Sequence, residues 1–418
     1  MPPCPPAGVR GAQATTVVPH GVHSAVHRLW AGGPGHHPVT CGRRQRSAGR
    51  AGTLPPVTET PHPLLPAATP VLRLDAERLQ VGGVDGRAGV RVSPAGPEVA
   101  ALLRRLDGRR SQRAVRDEAV SGGMPGDVVD DLLAGLRDAG LVHDLAAADL
   151  LAAEPGPAAA ARAEVELPAA VPGAGAGGRW RARRQAAVVV DGATRVGTPL
   201  AAVLAASGIG RVWVRDRGAV RAGDAVVGGV TAADEGRPRS LAAADAVRRA
   251  SPLADLRPLL PDQTPDLVVL CRPWAAADPL SAALHHTGTP HLVATVREDT
   301  GVVGPLVLPG TTSCLRCAEL WRRDGDPVWP RLAAQLSATD PVPSGSTVLC
   351  LLTALTAAVQ VLAHLDGSGV PAAVEATLEL RAPAFLPALR RWPAHPDCGC
   401  SRAARGGAGV HRGQWGGE

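Results

Sequence analysis

Cys314-Leu315-Arg316-Cys317 and Cys398-Gly399-Cys400 place four thiols in two tight pairs, about 80 residues apart. A gap of one or two residues lets consecutive sulfurs reach one ion from a single turn, and four soft ligands suit the tetrahedral shell of zinc. The pairs would staple the C-terminal end of the chain to a loop that follows its core. A disulfide is the alternative, but the N-terminus lacks the basic start and apolar run of a signal peptide, so a reducing, cytoplasmic setting is expected. With no fifth histidine, no acid and no open position in the pattern, the cysteines predict a structural zinc site.

A second group of residues has the form of a nucleotide loop. Asp191-Gly192-Ala193-Thr194-Arg195-Val196-Gly197 follows the apolar run Ala186–Val190. Its length is that of a dinucleotide fingerprint, but Thr194 stands where a central glycine would let backbone approach a phosphate. Asp216 follows the second strand roughly 20 residues on, where a ribose-binding acid belongs; an ordinary solvated strand end is the plainer reading. Gly192, Gly197 and Asp216 are therefore candidates for a degenerate nucleotide site. Cys271 and Cys350 invite a nucleophile reading, yet both sit in apolar runs where a small buried hydrophobe is expected. Trp321 and Trp329, close behind the first cysteine pair, suit core or dimer packing, with a partner surface as the other option.

Composition removes several chemistries. All 44 basic residues are arginine, and lysine, asparagine and tyrosine do not occur in the 418 residues. Schiff-base lysines, P-loop lysines and a catalytic asparagine are thus excluded. The net charge of +6 comes from the first 58 residues, which hold six arginines and no acid; the remainder balances 38 against 38. A neutral body gives no electrostatic argument for nucleic-acid binding. The 16-residue apolar run Thr347–Leu362 contains Gln360 and is short for a membrane span, so a buried helix is expected and no membrane partner.

The elements that must position these residues fall into blocks. Residues 1–66, rich in Pro, Gly and His, read as a disordered tail, either a genuine flexible arm or the product of an upstream start codon. In 67–146, three short alternating strands, Val71–Leu74, Leu79–Val81 and Val90–Val92, precede three small amphipathic helices, a winged-helix-like unit. The helices start at Pro97, after Ser111 and near Asp127, and Gly108 and Gly140 close the first and last. Residues 147–180 form an Ala/Pro/Gly linker and 401–418 a second tail. Between them, 181–400 alternates buried strands at Ala186–Val190, Val212–Val214, Leu267–Leu270 and His291–Ala294 with helical spacing. This predicts an α/β fold with a doubly wound, Rossmann-like parallel sheet.

Residues 186–400 resemble the ubiquitin-activating-type superfamily of ThiF and MoeB, through the glycine loop, the acid after strand two and the paired cysteines near the end. Members adenylate the C-terminus of a small carrier protein, holding ATP and magnesium with an Asp after a later strand, an Asn, a Lys and arginines. Where that Asp belongs, this chain reads Leu270-Cys271-Arg272-Pro273-Trp274; the Asn is absent, and Arg239 in Gly236-Arg237-Pro238-Arg239 is the nearest counterpart of the Lys. Without an acid to hold magnesium, phosphoryl charge in the transition state would go uncompensated, so ATP use is doubtful.

Residues 71–144, with Leu106-Asp107-Gly108-Arg109-Arg110 and Leu136–Asp144, resemble the PqqD-like peptide-clamp domain. Clamp plus degenerate ThiF-like domain, with Gly310–Cys314 and a closing His395-Pro396-Asp397-Cys398-Gly399-Cys400, is similar to the substrate-binding component of azoline-forming cyclodehydratases. The resemblance implies that the chain presents the leader of a ribosomal precursor peptide to a YcaO-type partner, which performs the ATP-dependent cyclisation, and that it forms a homodimer. Two rivals remain: a working adenylyltransferase using Arg215, Asp216 and Arg239, and a winged-helix DNA-binding protein, whose recognition helix would carry Asp127, Asp130, Asp131 and Asp138 against Arg137.

Overall fold

The computed structural model describes residues 60–84, 89–145, 165–166, 176–252, 254–260, 262–273, 279–338 and 342–400. The expectations for 1–59, for most of the linker and for 401–418 lie outside the described residues. The chain divides into two compact units, 1–144 and 145–418.

In the first unit, β1 (His62–Leu64) is followed by β2 (Val71–Arg73), β3 (Leu79–Gly82) and β4 (Gly89–Val92). β2, β3 and β4 form an antiparallel sheet in that order, with Val71 opposite Val81 and Leu79 opposite Val92. The period-two pattern decides which face is covered: Leu79, Val81, Val90 and Val92 are buried, whereas all three residues of β2 are exposed. Three helices close over the covered face: α1 (Pro97–Arg105), α2 (Gln112–Ser121) and α3 (Gly126–Asp138). Pro97 opens α1, and the Ser111 hydroxyl caps α2 by accepting from the Ala114 N–H at 3.2 Å. Val99, Leu102, Leu103, Val129, Leu132, Leu133 and Leu136 supply the helical side of this core.

The tail expected through residue 66 ends earlier. β1 pairs with β5 (His143–Leu145) in a two-stranded sheet, Leu64 and Leu65 are buried, and the Leu65 N–H donates to Leu106 O at 2.7 Å. A three-residue strand containing a proline shows no period; its partner lies at the far end of the unit, so local pattern could not reveal it.

The second unit opens with α4 (Ala176–Gln185), β6 (Ala187–Asp191), α5 (Gly197–Ala206), β7 (Arg211–Arg215), α6 (Arg239–Ala250) and β8 (Leu267–Leu270). It continues through α7 (Pro279–His286), β9 (His291–Arg297), β10 (Thr300–Val307), α8 (Leu315–Gly325), α9 (Trp329–Ala338), α10 (Thr347–Asp366), β11 (Ala376–Arg381) and β12 (Ala388–Arg391). The seven strands run β12-β11-β10-β9-β8-β6-β7. β7, β6, β8 and β9 are mutually parallel, and β10, β11 and β12 add an antiparallel wing. The strand order reverses beside β6, where doubly wound sheets leave a crevice at their C-terminal ends.

Helices cover both faces, which explains the unbroken apolar runs of β6 and β8. On one face Val188, Val190, Val212 and Val269 meet Leu200 and Leu204 of α5 and Ala354, Ala357 and Val361 of α10. On the other, Val189, Val268, Leu270 and Val293 meet Leu284, Leu315 and three of the paired cysteines. The expected linker also ends early: α4 takes in residues 176–180, and Trp180 is buried against Gly208, where a side chain would overlap the indole ring. Arg183 of α4 and Asp366 of α10 form a buried two-point ion pair. α10 is long and apolar enough to cross a membrane, but its inner face packs on the sheet, with 44% of its apolar window buried.

Candidate metal centre and glycine-loop cleft

Cys314 is the N-cap of α8 and Cys317 lies in its first turn, its N–H donating to Cys314 O at 3.0 Å. The segment after β12 meets this helix, Trp392 under Arg322 and Pro393 O accepting from Trp321, and delivers Cys398 and Cys400. Cys314 Sγ lies 3.8 Å from Cys317 Sγ and 3.5 Å from Cys398 Sγ, Cys317 Sγ lies 3.2 Å from Cys400 Sγ, and all four sulfurs fall within 4.8 Å of one another. A tetrahedral zinc with bonds of about 2.3 Å separates its sulfurs by about 3.8 Å, so the donor set and its spread fit that ion. Burial pushes the Cys400 thiol up to about 12, while its hydrogen bond with Cys314 holds Cys317 down at about 4. Such a group favours one thiolate by itself, and a divalent cation would favour all four.

The surroundings hold the second pair in place. Buried His395 directs Nε2 at Asp324 Oδ2, 2.8 Å away, and Nδ1 accepts the Asp397 N–H at 3.1 Å, which assigns the ring proton to Nε2. The Trp321 ring stands edge-on to His395 at 4.6 Å, and its Nε1–H donates to Pro393 O at 2.8 Å. Trp329 donates to Glu319 Oε2 at 2.6 Å, and Arg322 stacks over Trp329 and Trp392. Both tryptophans thus pack around the cysteine site. His395 was missed as a positioning residue; its signal was its place three residues before Cys398.

The glycine loop joins β6 to α5. Gly192 has φ +114, and a side chain at Gly197 would overlap Gly192 O, so the two glycines make a tight turn. The loop's amides already have partners. Ala193 N–H donates to Asp216 Oδ2 at 2.6 Å. Val196 and Gly197 N–H donate to the Thr194 hydroxyl at 3.3 and 3.0 Å. Thr194 therefore caps α5 in the place where a phosphate would otherwise accept those amides.

The charges around the loop are likewise committed. Asp191 pairs with Arg215 at 2.9 Å and lies 3.7 Å from Arg272, which also reaches Asp216 at 3.6 Å. Arg239 pairs with Asp224 at 2.8 Å, both side chains nearly buried. Arg195 donates to the Gly223 and Ala225 carbonyls and to Thr347 Oγ1. A small cleft lies between Thr194–Val196, the Asp224–Arg239 pair and Val342–Ser344. Of the sequence candidates, Arg239 lines this cleft, Gly192 and Gly197 shape the loop beside it, and Asp216 braces the loop from behind. Sequence reasoning missed Asp191, Arg195, Asp224 and Arg272 as members of this network; the arginine in place of an acid after β8 was its visible sign. Among the described residues of this loop, each carboxylate has an arginine or backbone partner. Cys271 and Cys350 are both buried, and burial raises both thiols, as expected of small core residues.

No curated protein matches the sequence. Among solved structures, the fold is similar to E. coli MccB with ATP, at 14% identity and TM-score 0.53, covering 81% of this chain and 99% of that one. MccB described as the microcin C7 biosynthetic enzyme, in complex with N-formylated MccA, gives the same figures. Selenomethionine PaaA matches at 17% identity and TM-score 0.52, covering 78% and 98%. Identities this low establish a shared fold. The ThiF family model matches residues 169–401, more than half of the sequence, from α4 to the last cysteine pair. The chain is a member of the ThiF family.

Proposed function

We propose that this protein binds the leader of a ribosomal precursor peptide and presents it to a YcaO-type cyclodehydratase, its ThiF unit serving as a catalytically silent, zinc-stapled scaffold. In this reading it acts in the cytoplasm as a homodimer, without nucleic acid or membrane. The observation that carries the silent-scaffold reading is the glycine loop: Thr194 and Asp216 take the amides a phosphate needs, and Arg272 stands among the carboxylates that magnesium needs. For the peptide, residues 67–146 offer an unpaired sheet edge at β4, which packs beside α3. An extended leader would add a strand there and lay alternate side chains against the helix. MccB has been solved with the peptide MccA, which supports a peptide as the partner of this fold. The acidic α3 argues against DNA, and its Arg137 is engaged by Asp144 at 2.7 Å and by Gln112.

A second reading, a working adenylyltransferase acting on a small carrier protein, draws support from the ATP-bound MccB structure on the same fold. ATP–pyrophosphate exchange with the full chain and small carrier proteins or short peptides encoded beside it separates the two. The silent scaffold predicts no exchange above background, and substantial exchange with any carrier protein or peptide promotes the enzyme.

A further inference from the structure

The four converging cysteines are not equivalent. Cys314, Cys317 and Cys398 are buried, whereas Cys400 is half-buried and the most accessible of the four. Gly399 beside it leaves open space where a side chain would stand. Two close separations run between the pairs, Cys317 Sγ to Cys400 Sγ at 3.2 Å and Cys314 Sγ to Cys398 Sγ at 3.5 Å, while Cys314 and Cys317 within the first pair lie 3.8 Å apart. We infer that these thiols form a redox-convertible staple: a hydroperoxide oxidises Cys400 first, and the sulfurs close into Cys317–Cys400 and Cys314–Cys398 disulfides as the metal leaves. This goes beyond the proposed function and stands whether or not the chain presents a peptide.

Peroxide attack by Cys400 Sγ breaks the O–O bond, forms a sulfenic acid and releases hydroxide. The Cys317 thiolate then attacks that sulfur; the S–S bond forms, the S–O bond breaks and a second hydroxide leaves. Two thiolates give up two electrons, the peroxide takes them, and two protons from solvent complete two waters. A second peroxide does the same for Cys314 and Cys398, and zinc, stripped of its anionic ligands, departs as the divalent cation. Cross-linking is favoured over separation because the last pair is held against α8 by contacts that do not use the metal. The Ser313 hydroxyl donates to Trp392 O at 2.6 Å, Trp321 Nε1–H donates to Pro393 O at 2.8 Å, and His395 Nε2 lies 2.8 Å from Asp324 Oδ2. Thiols kept apposed in this way react as an effectively unimolecular pair. The two bonds join residues 83 and 84 positions apart, and long loops are where a cross-link restrains the unfolded chain most. The junction of α8 with the C-terminal segment is thus kept in both redox states, by metal and then by covalent bonds, whereas a Cys314–Cys317 disulfide would release it.

The full chain, purified with reductant and desalted, is treated with hydrogen peroxide and digested with trypsin without reduction. Cleavage after Arg316 separates Cys314 from Cys317, and the peptide 392–402 carries both Cys398 and Cys400, so fragmentation at Gly399 assigns each link. Cys317–Cys400 and Cys314–Cys398 links are expected, forming in step with release of one zinc per chain to a pyridylazoresorcinol indicator and reversed by dithiothreitol with added zinc. The oxidised chain should melt no lower than the reduced chain stripped of zinc. Cys400→Ser should slow formation of the Cys314–Cys398 link by about tenfold, because the sulfurs then left to peroxide are buried. A Cys314–Cys317 link as the main product, a sulfonic acid at Cys400 without links, or thiols untouched at peroxide levels that oxidise glutathione would each overturn the inference. A chain isolated without zinc that still gives the same two links would overturn the metal assignment and sustain the pairing, so the two fail separately.

Discussion

Asp366→Ala is expected to be among the most damaging single changes in the ThiF unit. Arg183 and Asp366 side chains are 6% and 5% exposed, and the guanidinium meets the carboxylate at two points, Nε to Oδ1 at 2.7 Å and the second through the terminal nitrogen. Without the carboxylate, the Ser207 carbonyl at 3.1 Å is, among the described residues, the acceptor left to that guanidinium. Breaking a buried pair by removing one partner costs about 3–5 kcal/mol, whereas replacing both partners with apolar residues of similar size is often neutral. At roughly 2–4 °C per kcal/mol for a unit of this size, Asp366→Ala should lower the melting temperature by about 6–20 °C. Arg183→Met/Asp366→Leu should recover most of it. Circular dichroism melts and urea titrations of the full chain would measure both, with hydrogen exchange in α4 and α10 locating the loss. An Asp366→Ala variant within about 1 kcal/mol of the wild type would refute the reasoning, as would a double variant worse than the single.

Further outcomes follow from the same physical arguments. One zinc should copurify per chain, and Cys317→Ser or Cys400→Ser should lower metal content and melting temperature together; full metal retention in both variants would sink the four-thiolate assignment. Burial holds the His291 imidazole below its ordinary 6.5, with Nδ1–H donated to Thr289 O at 2.9 Å. The folded chain thus binds fewer protons than the unfolded chain below about pH 6.5, so this contribution is complete above that pH and is lost as the pH falls. His291→Gln should shrink the stability difference between about pH 7.5 and about pH 5, with the similarly lowered His364 leaving a remainder; an unchanged pH slope would count against it.

The parallel half of the sheet was legible because β6, β7, β8 and β9 are short apolar runs separated by helical spacing, and both signals are local. So was the helical side of the first unit, where Pro97, Ser111 and Gly140 mark helix ends and the leucines fix the faces. The antiparallel wing was not read as strands: β10 contains Gly304 and Pro305, and β12 is fully exposed, so neither shows a clean period. β1 and the start of α4 hid in Pro- and Gly-rich sequence because their burial depends on residues far along the chain, the strand His143–Leu145 for one and Gly208 for the other. The cysteine spacing pointed to one site, and the sulfurs do converge. The cleft was legible only as a set of missing residues. What occupies their places, a threonine cap and an arginine between two aspartates, requires distances that no spacing rule supplies.

Fluorescence anisotropy of labelled peptides from neighbouring short reading frames, titrated with the full chain with and without magnesium ATP, tests the central claim most directly. Saturable binding of one peptide, weakened by a proline in its pairing stretch and unchanged by nucleotide, is the predicted result. Absence of binding to every peptide, or binding that appears only with magnesium ATP, would contradict it.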